Sequence, residues 1–117
     1  MQRFMLKSKI HRATLTGADL DYEGSIAIDR TLMEAADLLP GEQVHVLNVN
    51  NGSRLITYVI EAPPGSGTML LNGPAARLGV RGDIVVVLSY AAFDDQDAAK
   101  FKPRVVHVDE RNQIVEK

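Results

Sequence analysis

One pattern occurs twice in this chain. Ala35-Ala36-Asp37-Leu38-Leu39-Pro40-Gly41-Glu42-Gln43-Val44-His45-Val46 is echoed by Ala75-Ala76-Arg77-Leu78-Gly79-Val80-Arg81-Gly82-Asp83-Ile84-Val85-Val86, with one extra residue in the second copy. Each copy reads as a short helix, a turn of glycine followed by an acid, and an aliphatic strand. Chance likeness among common turn residues is the competing origin. If the unit is real, it implies two halves related by approximate two-fold symmetry. A closed barrel then removes the exposed edges that many short strands would otherwise present.

The other segments fit a mainly β chain with short helices capping it. Phe4 to His11 alternates, with Leu6, Ser8 and Ile10 on one face and Lys7, Lys9 and His11 on the other. Thr14-Leu15-Thr16 continues the strand and Gly17 breaks it, leaving a turn-like acidic run to Asp21. Ser25 to Ile28 is a short strand. Asp29 is a helix N-cap, and Leu32, Ala35, Ala36 and Leu39 follow helical spacing until Pro40-Gly41. Gln43 to Val49 and Arg54 to Ile60 are strands joined by the Asn51-Gly52 hairpin signal. Residues 62–67 form a loop and Met69 to Leu71 a brief buried strand. Asn72 or Gly73 caps a second short helix, with Pro74 at its first position and Gly79 at its end. Ile84 to Leu88 is apolar on both faces and therefore central. Asp94 or Asp95 caps a helix through Ala99, Val105 to Val108 is a last strand, and the polar tail from Glu110 is expected to fray.

Composition narrows the function. At 117 residues the chain is one domain, 1–117, able to bury a core without staples. The absence of cysteine removes thiolate nucleophiles and zinc–thiolate sites. A net charge of −2 gives no electropositive footprint for nucleic acid. Met1 to Arg12 carries charges throughout, unlike a leader or an anchor, and no run approaches a membrane span; a cytoplasmic protein is expected.

Few residues point to chemistry by themselves. His11, His45 and His107 lack ligand spacing, so no metal is expected. Gly65-Ser66-Gly67 lacks the lysine and helix of a phosphate loop. On the strand after the hairpin, Arg54 and Tyr58 share a face about 13 Å apart. A cation and a phenol so placed suit two ends of one groove, or a solvent-facing arginine and a packed tyrosine. Gly24-Ser25, after Tyr22-Glu23, is a loop entering a strand or a bond that the serine hydroxyl can break.

Taken together, Tyr22-Glu23-Gly24-Ser25, Asn50-Asn51-Gly52-Ser53-Arg54, Thr57-Tyr58, Asn72-Gly73-Pro74-Ala75-Ala76 and Gly82-Asp83-Ile84-Val85, with Lys9-Ile10-His11-Arg12, closely resemble the bacterial pyruvoyl-dependent aspartate 1-decarboxylases. The resemblance runs to about Val106. No single piece is specific; their order and spacing are. One departure stands out: Pro74 replaces the alanine usual after Asn-Gly and has no N–H to give.

The resemblance implies a double-psi β-barrel and a homotetramer with active sites between subunits. It implies self-cleavage between Gly24 and Ser25, giving chains 1–24 and 25–117, with or without a maturation factor. Ser25 then becomes a pyruvoyl group, and neither metal nor pyridoxal phosphate is needed. The implied reaction converts L-aspartate to β-alanine and carbon dioxide, feeding pantothenate biosynthesis. Ser25 and Tyr58 would be catalytic, Tyr58 returning a proton to the α-carbon. Lys9 and Arg54 would bind carboxylates. Thr57 and Asn72 would act in maturation or contact substrate, Gly73, Pro74 and Ala75 would offer backbone, and Tyr22 would pack beside the pocket. Consecutive strand residues point to opposite faces. Thr57 and Tyr58 are therefore not expected to line one pocket from one chain: Ser25, Thr57 and Asn72 would come from one subunit, and Lys9, Arg54 and Tyr58 from its neighbour. A non-catalytic β-barrel interaction module, and a pyruvoyl decarboxylase of another acidic amino acid, are the alternatives.

Overall fold

The structure is a computed structural model that describes residues 1–116. It is mainly β. Among the described residues nine strands run β1 (Gln2–Thr14), β2 (Gly17–Asp19), β3 (Ser25–Asp29), β4 (Gln43–Asn48), β5 (Arg54–Ala62), β6 (Met69–Asn72), β7 (Ile84–Asp94), β8 (Arg104–Val108) and β9 (Ile114–Val115). Two short helices, α1 (Arg30–Ala35) and α2 (Asp95–Lys100), and a 3₁₀ turn at Gly73–Leu78 complete it. The strands follow the order β2-β6-β3-β5-β4-β7-β1-β8-β9. The chain passing from β1 to β2 links distant members of that order: Leu15 N–H bonds Asp83 O and Thr16 N–H bonds Met69 O. This arrangement is consistent with a barrel. Among the described residues no helix is long and apolar enough to cross a membrane.

The repeat is physical. Gly41 N–H donates to Val59 O, and Val59 N–H to Glu42 O; in the second copy Gly82 N–H donates to Leu15 O, and Leu15 N–H to Asp83 O. Glu42 accepts from Leu39 N–H as Asp83 accepts from Val80 N–H. Across β4 and β7, Val46 pairs with its own counterpart Val87, and His45–Leu88 mirrors Leu47–Val86. Val44, Val46, Val85 and Val87 point inward from these strands and meet Ile10, Ile26, Ile28, Val59 and Leu71 in one aliphatic core. Alternation on a pleated strand puts every second side chain inside, which is why valine and isoleucine dominate these positions. As expected, β7 is central, lying between β4 and β1.

Four expectations need correction. Helix α1 stops at Ala35 rather than near Leu39. Asp37 adopts a left-handed conformation (φ 54°), Leu38 turns back into the core, and Leu39 is 69% exposed. Pro40 disfavours a helical residue before it, and aspartate tolerates that left-handed turn. Residues 17–19, read as a turn, form β2, parallel to β6; backbone pairing carries this strand, without apolar alternation to reveal it. Strand β7 runs on past Leu88 to pair its second half with Gln2 to Leu6. Among the described residues the tail does not fray: Asn112 is 1% exposed, donates to Thr14 O and Gly67 O, and accepts from Thr14 N–H. A polar side chain that replaces missing backbone partners leaves no hydrophobic signature.

Candidate active site

The site starts where the acidic run meets β3. All five residues of β3 are buried, and β5 flanks it on one side and β6 on the other. Ser25, the first of them, is 1% exposed and lies directly opposite Asn72. Asn72 Nδ2 donates to Ser25 Oγ at 3.1 Å, and Ser25 Oγ donates to Glu23 O at 3.3 Å. The hydroxyl thus curls back to the Glu23 carbonyl, one peptide before the Gly24–Ser25 bond. Asn72 precedes the 3₁₀ turn in cap position but makes no side-chain cap bond; its amide is committed to Ser25.

Gly73 explains how the two segments approach. Its φ is +64°, and a methyl group there would lie 2.7 Å from both N and Cα of Gly24 and 2.8 Å from Tyr22 O. Only glycine accepts both the conformation and the contact. Pro74 follows, its Cδ at 3.4 Å from where a Gly24 side chain would begin. Tyr22 offers its carbonyl to this contact, while the residue as a whole is 55% exposed.

A groove of about 390 Å³ opens on Gly24. Pro74, Ala75 and Leu78 form one side, and Leu55 to Tyr58 of β5 form the other. Thr57 and Tyr58 therefore share one groove, against expectation. The reason is a free strand edge: β5 pairs with β4 along Arg54 to Tyr58, but with β3 only from Val59 onward. Both faces of the unpaired edge reach the groove. The side chains still alternate, Thr57 half-buried with Leu55, and Tyr58 39% exposed.

The two cations lie elsewhere. Among the described residues no charged side chain lines the groove. Lys9 stands on β1 opposite Leu88, which lies opposite His45, which lies opposite Ile56. That row places Lys9 three strands from β5, about 14 Å away. Arg54 Nη1 meets His45 Nδ1 at 3.0 Å, and the His45 ring packs edge-on against Tyr90 at 5.1 Å between centroids. Lys9, Arg54 and Tyr58 thus share the outer face of the sheet with a second cavity of about 470 Å³, lined by Phe4, Gln43, His45 and Tyr90 among others. Within one chain, Ser25, Asn72, Gly73, Pro74, Ala75, Thr57 and Tyr58 come together, whereas Lys9 and Arg54 do not join them. His45, read only as an ordinary histidine, orients Arg54. The hairpin register pairs His45 with Ile56, two residues from Arg54 on the same face, and was the available signal.

The family described as aspartate decarboxylase matches residues 1–115. A protein of Thermoanaerobacter pseudethanolicus named Aspartate 1-decarboxylase is 59% identical over 98% of this chain and 98% of its own. Proteins of the same name from Dehalococcoides mccartyi (61% identical, over 94% of this chain and 89% of that protein) and Syntrophus aciditrophicus (60%, over 97% and 98%) are similar throughout. With a family match over nearly its whole length and relatives this close, the chain belongs to the aspartate decarboxylase family.

Proposed function

We infer that this chain cuts itself between Gly24 and Ser25 and uses the carbonyl so formed to decarboxylate L-aspartate to β-alanine. The observation that carries the reading is the buried Ser25 hydroxyl, held by Asn72 and bonded to Glu23 O, one peptide upstream of the bond that must break. Membership of a family whose relatives are named Aspartate 1-decarboxylase supports the reaction and the substrate.

In maturation, Ser25 Oγ adds to the Gly24 carbonyl carbon. The C–N bond breaks, the nitrogen takes the hydroxyl proton, and the amide becomes an ester. Loss of the Ser25 α-proton expels the Gly24 carboxylate and leaves dehydroalanine. Water then adds and ammonia departs, giving a pyruvoyl terminus on 25–117 and a free carboxylate on 1–24. Asn72 orients Oγ, Thr57 polarises the Gly24 carbonyl across the groove, and the missing side chains at Gly24 and Gly73 leave room for the strained intermediate. These surroundings fit the group: a small buried space, a donor at Asn72 and an open groove beside it.

Once formed, the group supplies a carbonyl that takes up the substrate amine and accepts the electrons left as carbon dioxide departs. The residues around it bind and move protons. Arg54 and Lys9 pair with the two carboxylates, arginine through its planar fork and lysine as a point charge. Because neither lines the Ser25 groove of its own chain, they reach it from a neighbouring copy, in a homotetramer with active sites between subunits. Tyr58 protonates the α-carbon. Pro74 has no N–H to give, so the backbone donor beside the substrate is Ala75. A cytoplasmic enzyme of pantothenate biosynthesis is the setting this reading fits. Glutamate, one methylene longer, should be disfavoured by about 1–3 kcal/mol.

Intact mass under denaturing conditions tests the reading. Two fragments split after Gly24 support it; a lone full-length species after prolonged warming, with or without cell extract to supply a maturation factor, contradicts it.

A further inference from the structure

The last carbonyl of the 3₁₀ turn is gripped by the hairpin. Leu78 O accepts from Asn48 Nδ2 at 3.1 Å, Asn51 Nδ2 at 3.0 Å and Ser53 Oγ at 3.3 Å. A carbonyl has two lone pairs, so three donors crowd one acceptor. Such carbonyls at a helix end lack partners within the helix. A left-handed glycine commonly helps satisfy them, but Gly79 is extended here (φ −165°), and a methyl there would strike Leu15 Cδ1 at 2.7 Å. The hairpin replaces that cap. It is itself fixed: Asn48 Oδ1 accepts from Asn50 N–H and Asn51 N–H, and Asn51 Oδ1 accepts from Ser53 N–H.

The position of this clamp gives it a role. The gripped segment begins at Gly73-Pro74-Ala75, beside Gly24, and ends at Leu78, which also lines the groove. The gripping loop runs directly into Arg54 and the free edge of β5 that forms the opposite wall. The clamp therefore spans the two sides of the groove at one end. We propose that Asn51 is a positioning residue: by holding Leu78 it fixes the Pro74–Ala75 wall at its distance from β5 and so sets the affinity for the amino-acid substrate. This rests on the reading of the groove as the substrate site. Ser25 is positioned by β6, and Tyr58 by its pairing with Gln43 of β4, so chemistry at the bound substrate is independent of the clamp.

Asn51→Asp separates the clamp from the turn. The carboxylate keeps the acceptor for Ser53 N–H but sets an oxygen against Leu78 O, and the exposed site leaves no hole in the core. Asn50→Asp is the control for charge: it adds the same charge one residue away and keeps its acceptor for Ile84 N–H. The expected result with L-aspartate is a KM raised about three- to tenfold in N51D, the size of one lost hydrogen bond. kcat should change by less than about twofold, N50D should match the wild type, and amide exchange should be faster at Leu78 and Gly79. An unmoved KM in N51D, or an equal rise in N50D, overturns the clamp while leaving the decarboxylase standing. A wild type that turns over no aspartate overturns both.

Discussion

Asn72 holds the Ser25 hydroxyl from the residue directly opposite it on the neighbouring strand, Nδ2 to Oγ at 3.1 Å, with both side chains buried. A backbone register therefore sets the geometry of the reacting oxygen. Asn72→Ala should leave Oγ free to rotate and slow self-cleavage about tenfold, as expected for loss of one buried hydrogen bond. Time courses of fragment appearance, followed by mass, check this.

Gly73 and Gly41 both have positive φ but differ in surroundings. A methyl at Gly73 meets Gly24 backbone at 2.7 Å, whereas a methyl at Gly41 meets nothing within 4 Å. Gly41→Ala should cost about 1 kcal/mol, from conformation alone. Gly73→Ala should cost about 2–4 kcal/mol, because overpacking against backbone adds to it, and should also displace Gly24 and halt cleavage. Denaturant unfolding of the two variants, with mass analysis, separates the effects.

Asp83 links acid stability to the hairpin. The Asn48 hydrogen bond, then the Val80 N–H, hold its carboxyl below the ordinary 3.8, against a smaller cost of desolvation. The charged form thus favours the folded state. Its stabilisation is complete above the unfolded value, about 3.9, and is lost as pH falls through the lowered folded value. Asp83→Asn should flatten the fall in melting temperature below about pH 4. Thermal melts of both proteins between neutral and acid pH check the sign.

Lys9, Arg54 and Tyr58 share an outer face, while Ser25 and Asn72 are buried beside the groove. If one site takes residues from two chains, tetramers mixed from Ser25→Ala and Arg54→Ala subunits should regain activity that neither parent has. Co-expression with two purification tags measures it; absence of any rescue counts against shared sites.

Much of the fold was legible because it repeats. Gly41-Glu42 and Gly82-Asp83 announced equivalent turns, and the aliphatic runs after them announced strands. Gly24-Ser25 and Asn72-Gly73 were legible as a site only in combination. What stayed hidden depends on tertiary pairing. Strand β2 has no apolar alternation to mark it, and Asn112 anchors a polar tail through backbone groups far away in sequence. The shared groove of Thr57 and Tyr58 was missed because strand alternation describes a strand paired on both sides. Beside Arg54 to Tyr58 one edge is open.

The most direct measurement is reductive trapping. The protein is incubated with L-aspartate and borohydride, then separated under denaturing conditions and weighed. The expected result is a covalent gain of the reduced aspartate adduct on the fragment that begins at residue 25, none on the fragment ending at Gly24, and none in a Ser25→Ala chain. An untagged protein, or equal tagging of the Ser25→Ala chain, would contradict a carbonyl made from Ser25.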